Sequence, residues 1–165
     1  MKKQNLSSTD TIYVGGGSSD SKATLCIYTD NLDPSTLREK IGYLPTRTRL
    51  KGEKDTDKPS IPPARTGLWL LDAPKDLSFI QKITFLLEAT ESDPNVWREI
   101  AQSHDIQLRC AIFLHSWTES FSLPREILKE LAERGWEFSL SMYSAEGDEI
   151  VDAFLTESGE ETAQR

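Results

Sequence analysis

The chain has 165 residues, of which 37% are hydrophobic, and carries 27 acidic against 19 basic side chains for a net charge of −8. That length builds one core without disulfide or metal staples, while the charge disfavours general attraction to nucleic acid or anionic lipid and is compatible with a basic protein partner. No apolar run approaches the roughly 20 residues that cross a bilayer, and Met1 to Asp10 is too polar for a secretory leader, so a cytoplasmic address without membrane contact is expected.

Residues 1–21 read as a flexible lead, because Gly15-Gly16-Gly17-Ser18-Ser19 has no side chains to pack. The first strand is expected over Ala23 to Asp30. Asp33-Pro34 then caps and opens a helix running to about Lys40 and ended by Gly42. From Tyr43 to Ala64 the chain is dominated by Pro, Gly, Lys and Asp and reads as a long loop. A second strand spans Gly67 to Leu71. Ser78 and Gln81 form a capping box before Phe79, Ile80, Ile83, Leu86 and Leu87, whose spacing gives one buried helical face. Asp93-Pro94 starts a further helix with Val96, Trp97, Ile100 and Ala101 as its stripe.

Ile106 to Trp117 is apolar at both parities, which suits a central strand covered on both faces. Pro124 to Arg134 is a helix burying Ile127, Leu128 and Leu131, with Gly135 as its C-cap. In the last strand Trp136, Phe138, Leu140 and Met142 alternate with polar partners, a one-sided pattern. Residues 22–145 therefore read as a single α+β domain with a small four-stranded sheet, mixed or antiparallel, and packed helices. The strand, Pro-opened helix, Gly stop and strand at Leu25 to Leu71 are echoed at Ala111 to Tyr143, which suggests two βαβ halves. Residues 146–165 form an acidic tail in which Ile150, Val151, Phe154 and Leu155 sit at helical spacing.

The strand Ala23 to Asp30 with Leu32-Asp33-Pro34, the run Tyr43-Leu44-Pro45-Thr46-Arg47 leading to Lys51-Gly52, and Arg65-Thr66-Gly67-Leu68-Trp69 carry a family likeness. On these motifs the chain, from about Lys22 to Ser144, resembles the bacterial domain of unknown function family 4279. The resemblance implies a small α+β domain and no particular activity.

Catalytic and metal-binding patterns are sparse. Cys110 and His115 lie five residues apart on one strand, and odd spacing sends them to opposite faces. Cys26 and Cys110 both sit in apolar strand segments and read as structural thiols. With two histidines and neither CxxC nor HExxH, no metal or other cofactor is expected. Asp30, Asp72 and His115 end strands, a placement that turn chemistry explains without an acid/base site. The four tryptophans each fall within an apolar periodic segment and read as core.

Local charge stands out more. Arg47, Arg49, Lys51, Lys54, Lys58 and Arg65 place a net basic loop in an acidic protein, opposed only by Glu53, Asp55 and Asp57. Closure of the loop would bring Arg47 and Arg65 to a common mouth with Trp69 beneath. Guanidiniums held together need either an anionic ligand between them or an internal acid, with Asp72 and Glu53 as candidates. Arg47, Arg49, Lys51, Arg65 and Trp69 are thus the candidate anion- or partner-binding residues. Two functions follow from this reading. One is a non-catalytic interaction domain, such as an immunity or defence factor that neutralises a basic protein. The other is a ligand-binding or enzymatic domain that holds a small anion in the basic loop.

Overall fold

The structure, a computed structural model, describes residues 20–31, 33–54, 62–114 and 121–143. The glycine-rich lead, Asp55, Asp57, Lys58, His115, Trp117 and the amphipathic tail all lie outside these.

Among the described residues nine elements follow one another: β1 (Asp20–Thr29), α1 (Pro34–Ile41), β2 (Arg47–Arg49), β3 (Gly67–Asp72), α2 (Phe79–Ala89), α3 (Pro94–Ala101), β4 (Asp105–Phe113), α4 (Arg125–Arg134) and β5 (Glu137–Tyr143). The protein is α+β, and its sheet has five strands in the order β2-β3-β1-β4-β5. The additional strand is β2, three residues with the polar sequence Arg-Thr-Arg, drawn from within the expected loop by antiparallel pairing with β3. No hydrophobic alternation marks it, because it is an edge strand held by its backbone.

Helix boundaries follow local chemistry. The Asp33 carboxylate accepts from the backbone N–H groups of Ser35 and Thr36 at 3.0 and 3.4 Å, and Gly42 stops α1 with φ of 77°. Ser78 and Gln81 complete a reciprocal capping box at the start of α2. Gly135 ends α4 at φ of 69°.

The expected pair of βαβ halves requires a correction. The second half stands, since β4 and β5 are parallel neighbours joined through α4. In the first, β1 and β3 are antiparallel, so β1-α1-β3 is not a βαβ unit. Because β3 also runs antiparallel to β2, β1 and β2 point the same way with β3 between them. The first crossover is therefore a split βαβ, β1-α1-β2, with the following strand slotted into the gap.

All four helices contribute to one core cluster on a single face of the sheet, with Leu25, Ile27, Trp69, Leu71, Ile106 and Leu108 beneath Leu37, Ile83, Leu86, Trp97 and Leu131. Trp97 packs edge-on against Trp136 at 4.8 Å and donates its indole N–H to the Glu91 carbonyl at 2.7 Å. Across α2 and α4, the buried Arg134 donates to Thr90 Oγ1 at 3.0 Å, pairs with Glu130 at 3.3 Å and lies over the Trp136 ring. The opposite face carries no helix among the described residues. Its buried apolar patch is small: Cys26, Leu68 and Leu70, with Tyr28 against them. The expectation that β4 is covered on both faces thus holds for helices on one face only, where Ile106, Leu108 and Cys110 lie.

Candidate functional site

Strand parity builds the helix-free face. Lys22, Thr24, Cys26 and Tyr28 project from β1, flanked by Leu70 and Asp72 from β3 and by Arg109 from β4, in the register Thr24 to Asp72, Thr24 to Arg109 and Cys26 to Leu70. Arg47 stands opposite Leu70 and so joins the same face from β2. At the end of the sheet where β1 and β2 begin and β3 finishes, these side chains and Ser21, Lys75 and Lys82 line a cleft of about 350 Å³.

Five cations, Lys22, Arg47, Lys75, Lys82 and Arg109, face this cleft together with one carboxylate, Asp72. Asp72 Oδ1 accepts the Thr24 hydroxyl at 2.7 Å and forms no ion pair with Arg47. Lys22 lies 5.8 Å from the centroid of the Phe113 ring, and Arg109 Nη1 donates to the Tyr28 hydroxyl at 3.2 Å. Burial raises the Tyr28 phenol above its ordinary range.

Lys82 is the unusual member. It is only 4% exposed, and its ammonium donates to a neutral acceptor, Ser21 Oγ, at 3.2 Å. No carboxylate among the described residues lies within ion-pair distance of it. Burial pushes its pKa down, and the more distant Asp20 and Asp76 pull it partly back. A buried cation that, among the described residues, meets a neutral hydroxyl and no carboxylate at ion-pair distance is costly to keep.

The thiols contribute no nucleophile. Cys26 forms part of the cleft floor and Cys110 faces the helices, and burial pushes each up to about 12. Among the described residues no three His, Cys, Asp or Glu side chains gather to hold a metal ion.

The loop candidates separate. Arg47 lines the cleft and makes no hydrogen bond or ion pair among the described residues. Arg49 shares its face but turns to the loop, donating to the Glu53 and Pro62 carbonyls at 3.4 Å each. Lys51 pairs with Asp30 at 2.6 Å, an exposed bridge that holds the Asp30 carboxyl below its usual range. Arg65 precedes β3, at the end of the sheet away from Ser21 and Lys82, so Arg47 and Arg65 do not share a mouth. Trp69 is paired with Thr48 and fully buried in the helix-covered core; it lies on the face opposite Arg47 and cannot form the floor of an anion site there. Neither proposed internal acid pairs with Arg47: Glu53 uses its carboxylate to accept the Leu50 N–H at 2.7 Å.

Sequence reasoning missed Lys22, Lys75, Lys82 and Arg109. Lys82 carried a readable signal, since it falls at i+3 from Phe79 and i−4 from Leu86, on the buried stripe of α2. Arg109 was legible by parity, as the one cation of a strand whose alternate residues are Ile106, Leu108 and Cys110.

The sequence pattern of a family described as Domain of unknown function (DUF4279) matches residues 19–145, more than half of the chain. The chain belongs to the DUF4279 family. The family's span takes in every described element and every cleft residue, so the cleft lies within the DUF4279 domain itself. No curated protein and no solved structure matches the chain. No described helix is long and apolar enough to cross a membrane.

Proposed function

We propose that this DUF4279 domain is a binding module for a small anion, which it holds without chemistry in the cleft at the end of its sheet, between the helix-free face and the start of α2. The observation that carries the reading is Lys82, a buried lysine at the wall of a cleft that four further cations face, with no carboxylate among the described residues within ion-pair distance. An anion placed against Ser21 and Lys82 would supply acceptors and the opposite charge together. In a protein of net charge −8, five cations on one cleft also favour anions over cations locally. The other reading, an acidic interaction or immunity factor for a basic protein, rests on overall charge, which attracts a partner without placing it.

Two arginines separate site from scaffold. By calorimetry at low ionic strength with inorganic phosphate as the probe, Arg47→Gln weakens binding at least about fivefold, the loss of one charge-assisted contact. Arg65→Gln, at the other end of the sheet, leaves it unchanged. Equal effects of the two, or no binding of phosphate or any carboxylate to the wild type at millimolar concentration, would refute the reading.

A further inference from the structure

We infer that the cleft selects an organic anion with a single charged head and a flat apolar body, in preference to an inorganic ion or a polyanion; this rests on the anion-binding reading above. The cleft is graded along the strands. At the sheet end lie Ser21, Lys22, Lys75 and Lys82, where a charged head finds its donors. Further in, the floor is Leu70 and Cys26, both buried, with the Tyr28 ring beside them.

Three features fix the class. First, about 350 Å³ is the room of roughly a dozen waters at about 30 Å³ each, and it falls within the range of pockets that enclose organic ligands. A lone phosphate would leave most of that space as water over an apolar floor. Second, Arg47 and Arg109 approach the floor from β2 and β4, three strand spacings apart or about 14 Å between backbones, with β3 and β1 between them. Arg109 is steadied by the Tyr28 hydroxyl. Planar guanidiniums on either side suit a flat body, on which they stack as well as attract. Third, Asp72 stands between head and floor with one oxygen held by Thr24. Its negative charge repels a ligand that is anionic along its whole length and leaves an acceptor for a donor group on the body.

The test compares phenyl phosphate with inorganic phosphate and tripolyphosphate on the full chain by calorimetry at low ionic strength. Phenyl phosphate is expected to bind at least about tenfold more tightly than phosphate, with tripolyphosphate gaining nothing over phosphate despite its higher charge. Leu70→Ala removes at least about threefold of the phenyl advantage and leaves phosphate affinity unchanged. Equal affinities for phenyl phosphate and phosphate, or tightest binding of tripolyphosphate, overturn the selectivity while the anion site stands. Absence of binding by all three overturns both. The wild-type ratio decides the question even if Leu70→Ala fails to fold.

Discussion

Lys82 concentrates the tension in this molecule at the scale of one residue, because a buried ammonium that donates to a serine hydroxyl and has no carboxylate at ion-pair distance among the described residues opposes folding. Its replacement by Met keeps the length and apolar stem and removes the charge. Lys82→Met should therefore raise the thermal midpoint, by the equivalent of about 1 kcal/mol. The pH dependence has a definite sign. Burial lowers the folded pKa below the ordinary lysine value of 10.5, so the unfolded chain binds more protons in the window between them. Wild-type stability relative to Lys82→Met then rises with pH through that window, and the gap between the two midpoints narrows towards pH 10.5. A gap that widens with pH contradicts the assignment; the groups facing Lys82, namely Asp20, Asp76 and Lys75, are common to both proteins and cancel in the comparison. The thiols give a second check at this scale. Both are pushed up to about 12 by burial, so neither should react with a thiol reagent at pH 8 while the protein is folded, and both should react in denaturant. Fast labelling of Cys26 in the native state would show the cleft floor to be open to solvent.

At the scale of elements, helix α1 is short and depends on its ends. Asp33→Ala removes the acceptor for two backbone N–H groups and the Thr36 hydroxyl and should cost about 1 kcal/mol in chemical denaturation. Gly42→Ala meets no atom within 4 Å of the added carbon, so its cost, again about 1 kcal/mol, is the left-handed backbone alone. A loss below about 0.3 kcal/mol at either position would mean that packing, through Leu37 and Ile41, sets this helix without its caps. These caps were plain in the sequence because Asp-Pro, Ser-x-x-Gln and Gly stops act within a few residues. The core stripe of α2 was plain because burial on one face imposes a period, whereas β4, apolar at both parities, did not show which face the helices cover. Strand β2 was not, since Arg47, Thr48 and Arg49 owe their strand to the backbone of β3. The cleft was legible only in fragments: Arg47, a candidate from the loop reading, lines it, but Trp69, expected beneath Arg47, pairs with Thr48 and points to the other face. Lys22 and Arg109 come from β1 and β4, Lys75 from the turn after β3 and Lys82 from α2, and only the packing of α2 at the end of the sheet brings them together.

At the scale of the whole molecule the sheet divides labour between its faces. One face anchors the four described helices and nearly all the buried apolar side chains, and this frees the other to carry Lys22, Arg47 and Arg109 over a small apolar floor, with Lys82 of α2 joining them at the end of the sheet. A basic cleft on a chain of net charge −8 is also sensitive to salt, since its exposed members are screened beyond about 8 Å at physiological ionic strength. Buried Lys82 is screened less, so affinity should fall with salt to a plateau and not to zero. The measurement that bears most directly on the account is the thermal midpoint of wild type and Lys82→Met, each with and without saturating phenyl phosphate at low ionic strength. A crossing is predicted: the variant melts higher when both are empty and does not respond to ligand, while the wild type gains about 2.7 kcal/mol of stability at a hundredfold excess over its dissociation constant and overtakes it. A variant that melts lower than wild type when empty, or that retains the full ligand-induced shift, would contradict the claim that Lys82 is held in the cleft to meet an anion.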